Sequence, residues 1–255
     1  MVDAAAHKSF GRSIAVTQTH RGHGTSTAAY YLGRTLVSLG LRVLLVDLTN
    51  RHDRLLSLAR RGPVKNLVLW TPSLGRARDV APALQQARMQ TAGKADVLLI
   101  DTDAALIEEI GLESLSLHYT CILTEPAEKG QEAADSLAER LRDAEPPYGH
   151  AGVVFSRVDA PAASELPQQT AGRHLPVLGY FPADYLLAGG DAYSLKGDES
   201  TWPHETYISA ITRISQKLAR IVPLERATHS SSADISGAHV SPVDRGQTTT
   251  EPHSL

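Results

Sequence analysis

The sequence predicts an α/β fold, a mostly parallel sheet with helices on both faces. Continuous apolar runs such as "RVLLVDL" (42–48) and "ADVLLIDTD" (95–103) have the composition of strands buried on both sides. Helical patterns stand between these runs. Strand and helix alternating along one chain imply right-handed crossovers and parallel pairing.

In order, "SIAVTQT" (13–19) is the first strand. Residues 25–40 follow as a helix, with Ala28, Leu32, Leu36 and Leu39 at helical spacing and Gly40 as its stop. The run at 42–48 is a buried strand and "NLVLWTP" (66–72) a weaker one. Residues 79–92 are helical after Pro82, which suits a first turn. Buried strands are expected at 95–103, 119–126 and 150–159, with an amphipathic helix at 128–144. "LPVLGYFPAD" (175–184) reads as a short edge strand. The last helix, 204–222, carries Ile208, Ile211, Ile214, Leu218 and Ile221 as one core-facing stripe. The domain is expected over 12–224, after an extension at 1–11. Residues 225–255 are rich in Ser, Thr, His, Gly and Pro, a composition that cannot offset its ordering entropy and reads as a disordered tail.

The totals agree with a cytoplasmic globular protein. The chain has 255 residues, 42% of them hydrophobic, enough for one sizeable core. A net charge of −3 argues against coating nucleic acid by bulk charge, though not against a local basic patch. The lone Cys121 lies in an apolar stretch and reads as a buried thiol. No signal-peptide core opens the chain, and no apolar run approaches the roughly 20 residues of a membrane span.

In a parallel sheet, ligands bind at the carboxyl ends of the strands. Three features fall there. "THRGHGTST" (19–27) joins the first strand to the first helix. Gly22 and Gly24 permit a tight turn that aims N–H groups at an anion, and the helix adds its positive end. Ser26 stands where a P-loop hydroxyl ligates Mg²⁺. Asp47 ends "VLLVD" and Asp101 ends "VLLID", each an acid closing a hydrophobic strand.

With these residues the sequence resembles the ParA/MinD family of deviant Walker A ATPases over about 12–222. The family's loop reads K-G-G-x-G-K-[ST]-[ST]; here the stretch is His20-Arg21-Gly22-His23-Gly24-Thr25-Ser26-Thr27. "GLRVLLVDLTNRHDRL" is similar to the strand ending in D-x-D, and "KADVLLIDTDAAL" to the Walker B strand. "GVVFSRVD" and "LPVLGYFPAD" match the late strands, where the base of the nucleotide lies. The resemblance implies ATP and Mg²⁺ binding, a homodimer, an adaptor protein encoded nearby, and a role in partition or positioning of cargo.

The departures are specific. The P-loop lysine is Thr25, the signature lysine that crosses the dimer is His20, and Arg21 takes a glycine's place. The second acid of D-x-D is Thr49, and the adenine-contacting asparagine is Ser156. Residues that shape the loop and could hold Mg²⁺ are kept; those carrying transition-state charge are lost. Each such loss typically costs two to three orders of magnitude in rate. Three readings follow: a nucleotide-dependent switch with impaired or no hydrolysis, a slow ATPase using His20 or Arg21 as compensating cation, and a scaffold with an empty pocket.

Other features are weaker. His20 and His23 form a His-x-x-His pair, expected at the surface or facing phosphate rather than on a metal. Arg51, Arg54, Arg60, Arg61 and Lys65 form a basic run, either a solvated helix face or a surface for nucleic acid or an acidic partner. Arg213, Lys217 and Arg220 lie on the polar side of the last helix, and the resemblance implies nonspecific DNA contact there. A terminal amphipathic membrane anchor is not expected before a polar tail. Cys121 alone cannot hold an iron–sulfur cluster, and the tail lacks a tyrosine cluster.

Overall fold

The computed structural model describes residues 12–49, 52–61, 63–72, 79–91, 94–110, 117–143, 150–158, 175–182 and 205–221. The expected extension and tail lie outside them. Strand β1 (Arg12–Gln18) leads to helix α1 (Thr25–Ser38), then β2 (Val43–Asp47), α2 (His52–Arg61), β3 (Leu67–Trp70), α3 (Val80–Thr91) and β4 (Val97–Asp101). After these come α4 (Ala104–Ile110), β5 (Tyr119–Thr124), α5 (Glu128–Asp143), β6 (His150–Val158), β7 (Val177–Pro182) and α6 (Glu205–Ile221). Among the described residues the sheet has seven strands in the order β3-β2-β4-β1-β5-β6-β7, every pair parallel. β7 stands at one edge, as its short mixed run predicts.

Side chains alternate across each strand, so every buried strand feeds two cores. Ile14, Val16, Val43, Leu45, Val97 and Leu99 pack on one face with residues of α1, α2 and α6. Ala15, Leu44, Val46, Leu98 and Ile100 pack on the other with residues of α3, α4 and α5. The central strands are continuous apolar runs because neither face meets water. At the amino ends of β2 and β4, Arg42 grips Asp96 at 2.7 and 3.1 Å, and the Arg42 amide donates to the same carboxylate.

Helix α1 stops where Gly40 predicts. The Gly40 amide donates to the carbonyl of Val37 and the Leu41 amide to that of Leu36, a Schellman closure with Leu36 and Leu41 in the same core. Helix α3 begins two residues before Pro82, which still falls in the first turn. The last helix corrects one expectation. Ile211, Ile214 and Leu218 are buried, whereas Ile208 is 37% exposed and Tyr207 fills the core in its place. Tyr207 stacks on Phe181 of β7, with ring centroids 4.9 Å apart. The side chain of Ile221 lies outside the described residues. Helix α4 was not expected; its signal is Asp103, whose carboxylate caps the Leu106 amide at 2.8 Å.

Candidate nucleotide site

The switch in strand order puts the site at β1. The chain leaves β1 to build β2, and β4 later returns across β1 to β5. Crevices at such crossings open at the carboxyl ends of strands. The loop 19–24 lies there, with β4 on one side and β5 on the other.

Two glycines shape the loop. Gly22 has φ +98 and Gly24 φ +84, a region that L side chains avoid. A Cβ on Gly24 would meet nothing within 4 Å, so conformation and not space requires glycine there. Gly24 is also the residue before α1, and its carbonyl takes the first helical bond from the Ala28 amide at 2.8 Å. Among the described residues no side chain caps this helix, and no acid stands in its first turn. Its leading N–H groups and positive dipole end are therefore uncommitted by capping.

Beneath that helix end stand the two acids. Asp47 and Asp101 are register partners on adjacent strands, and neither has any solvent exposure. Their strands run in step, so both fall on the α1 face. They are not equivalent. One oxygen of Asp47 accepts from the Thr49 hydroxyl at 2.6 Å and from the Thr49 amide at 2.9 Å. Thr49 thus braces Asp47. Neither oxygen of Asp101 has a hydrogen-bond partner among the described residues. Burial pushes its carboxyl up to about 8, with Asp47 and Asp103 adding to the rise. The Ser26 hydroxyl opposes it, near enough to favour the charged form but outside hydrogen-bonding geometry. The hydroxyls of Thr25 and Thr27 are likewise buried without a partner among the described residues. Thr25 is 3% exposed, a short and enclosed side chain.

The histidines divide. His20 is exposed and shares a 3.2 Å hydrogen bond with the neighbouring Thr19 hydroxyl. His23 is turned inward, contrary to the expectation of a surface or phosphate-facing ring. It is 6% exposed, its Nδ1 shares a 2.9 Å bond with the Ser156 hydroxyl, and its amide donates to Gln18 Oε1 at 3.2 Å. Burial pushes its pKa below the usual histidine range, and Arg157 and His20 push the same way against Glu125. A neutral ring can fill this buried place; a charged one would need a partner. Ser156, expected at the base, shares its hydroxyl with His23 and donates to the Thr124 carbonyl at 3.3 Å. The structure thus joins Ser156 to the loop, but as a strut. Arg21 is exposed.

The remaining basic candidates are also placed. On α6, the Lys217 ammonium donates to the carbonyl of Leu178 at 2.8 Å, with Val177 at 3.5 Å, so it is used to hold β7. Arg213 and Arg220 are exposed, Arg213 donating back to the Ser209 carbonyl at 3.3 Å. In the earlier basic run, Arg60 and Lys65 are exposed. Arg51 and the side chains of Arg54 and Arg61 lie outside the described residues. One residue of the site escaped the sequence. Arg157 donates to the Gly22 carbonyl at 2.6 Å, and nothing in "FSRV" distinguishes it from a solvated arginine.

Sheet order, glycine loop and paired acids define a P-loop NTPase fold. Among solved structures the chain is similar to those of the MinD and ParA ATPases. The septum site-determining protein MinD from Pyrococcus horikoshii OT3, complexed with Mg-ADP, superposes with a TM-score of 0.65 at 16% identity, over 85% of this chain and 99% of that one. A chain of the MinC:MinD cell division protein complex of Aquifex aeolicus gives 0.60 at 20% identity, over 85% and 99%. A ParA family ATPase from Chlorobium tepidum TLS gives 0.58 at 19% identity, over 80% and 98%. No protein-family model and no curated protein sequence matches the chain. The fold is therefore of the ParA/MinD type.

Proposed function

We propose that this chain is a partition or positioning protein of ParA/MinD type, a dimeric switch that binds a magnesium nucleotide and hydrolyses it slowly or not at all. The observation that carries the reading is Asp101. A carboxylate with both oxygens buried and unpartnered among the described residues is costly, and a divalent cation is the partner such a group fits. Asp47 and the Ser26 hydroxyl stand beside it, under an uncapped helix end suited to phosphate. Asp101, Asp47 and Ser26 would hold Mg²⁺, and the amides of 22–27 would hold the phosphates. Bound Mg²⁺ would offset phosphate charge.

The same residues support impaired turnover. Thr25 is enclosed and short, and Thr49 is occupied with Asp47. The homodimer, the neighbouring adaptor and DNA contact through Arg213 and Arg220 rest on the resemblance. Among the described residues no helix is long and apolar enough to cross a membrane.

Titration with Mg-ATP followed by a turnover assay tests the proposal. Binding in the micromolar range, with turnover at least about a hundredfold below ordinary P-loop ATPases, is expected. Absence of binding up to about a millimolar would leave only the empty-pocket scaffold. Turnover at ordinary rates would overturn the impaired-switch reading.

A further inference from the structure

Arg157 is the penultimate residue of β6 and has φ +58. A long side chain rarely adopts that left-handed conformation, and such outliers collect at functional sites. The cause is a bulge. Between Phe155 and Val158, β6 carries two residues where β7 carries one between Tyr180 and Pro182. An extra residue bends a strand and re-aims a side chain. Here the guanidinium comes to rest on the glycine loop. Its Nη2 donates to the Gly22 carbonyl at 2.6 Å and stands 3.7 Å from where a Gly22 Cβ would be.

Among the described residues the guanidinium is not otherwise engaged. Arg157 is exposed, and the Gly22 carbonyl is its one hydrogen-bond acceptor among the described residues. A guanidinium has five N–H donors in a planar fork, and that fork matches phosphate oxygens. The ring next to it, His23, is held by Ser156 and kept neutral by burial, so no like charge from that ring competes. The loop needs such a group: two buried carboxylates lie under it, and Thr25 stands where a lysine would.

We propose that Arg157 supplies, from the end of β6, the phosphate-binding cation that this loop lacks at Thr25. The inference rests on the nucleotide reading above. Gly22 holds the guanidinium at the loop, and the free N–H groups grip phosphate oxygens of the bound nucleotide.

Arg157→Gly is the informative variant. Glycine favours φ +58, so the cation is removed while backbone strain falls. The Kd of Mg-ATP should rise about ten- to hundredfold, the range of a charge-assisted pair of bonds. Magnesium pyrophosphate should lose the same factor, since the contact is to phosphate. Arg157→Lys, with charge but no fork, should fall between. The melting temperature of Arg157→Gly should be no lower than that of the parent. Parent protein that binds neither probe up to about a millimolar overturns the nucleotide reading and this one with it. Parent that binds, with Arg157→Gly binding equally, overturns Arg157 alone. A loss confined to Mg-ATP would place Arg157 at the base, and a fall in melting temperature would make it a structural brace; either result refutes the assignment.

Discussion

Asp101 and Asp103 stand two residues apart and act differently. Asp103 caps α4 through the Leu106 amide, the ordinary fate of an acid after a strand. Asp101 has no such outlet, and its pKa is raised to about 8. The sign follows from linkage. Between the usual carboxylate range and about pH 8, the folded state holds a proton that the unfolded state has released, so stability falls as pH rises through that window. Asp101→Asn removes the titration and keeps the shape. It should stabilise the ligand-free protein by on the order of a few kcal/mol near pH 8, and by much less near pH 4. Urea denaturation at both pH values measures this; an equal effect at each would show that Asp101 does not titrate in the window. Mg²⁺ would replace that proton, so its affinity should tighten up to about pH 8 and its binding should release protons below it. Calorimetry in buffers of unlike ionisation enthalpy reads that release. The strand-end places of Asp47 and Asp101 and the turns at Gly22 and Gly24 were legible in the sequence because apolar runs and glycine spacing set strand ends and tight turns. The inward turn of His23 and the reach of Arg157 were not, since both depend on β6 arriving beside the loop from more than a hundred residues away.

At the scale of elements, α6 and β7 show where periodicity stops being informative. The stripe Ile211, Ile214, Leu218 was correct because those positions face a sheet wherever the helix lies. Ile208 was not, because at the first turn an aromatic from the neighbouring position stacks on Phe181 and takes the core place. Lys217 is the clearer case. On a helical wheel it belongs to the polar side, yet its ammonium reaches across to β7 and caps the Leu178 carbonyl. An edge strand has backbone groups to satisfy, and a lysine can do so while its stem covers apolar surface. Lys217→Met should therefore cost about 1 kcal/mol of stability, with hydrogen-exchange protection lost in β7 before it is lost in β1 or β4. DNA mobility shifts for this variant should match the parent at low salt, because the charge is already engaged; any DNA contact on α6 would depend on Arg213 and Arg220. A variant as stable as the parent would show that the Leu178 bond is replaced by water without loss. The short α4 went unread for a related reason: a single capped turn or two carries too little periodicity to stand out from a loop.

For the whole molecule, topology and charge together indicate how a second copy would engage. The order β3-β2-β4-β1-β5-β6-β7 gathers the loop, both acids and the bulge of β6 at one end of the sheet. Within a protomer the cations near that end are unequally used: Arg157 bonds the loop, while Arg21 lies exposed on its lip with no hydrogen bond to a described residue. In the proposed dimer the lips of two protomers would meet across their nucleotides, and Arg21, one residue after His20 at the signature-lysine position, would be the exposed cation able to cross. Such a contact is between an exposed cation and phosphate, so it should weaken with salt over a Debye length of about 8 Å at physiological ionic strength. Arg21→Glu replaces attraction with repulsion and leaves Gly22, Gly24, Ser26, Asp47 and Asp101 in place. Light scattering with Mg-ATP should show a salt-sensitive dimer for the parent, and one weakened at least about tenfold for Arg21→Glu. Nucleotide affinity measured at dilutions where both are monomeric should stay within about threefold, since a rim charge acts mainly on the encounter between partners. A dimer indifferent to this substitution, or equally strong without nucleotide, would mean that the copies meet through another face and that the loop end of the sheet serves the nucleotide alone.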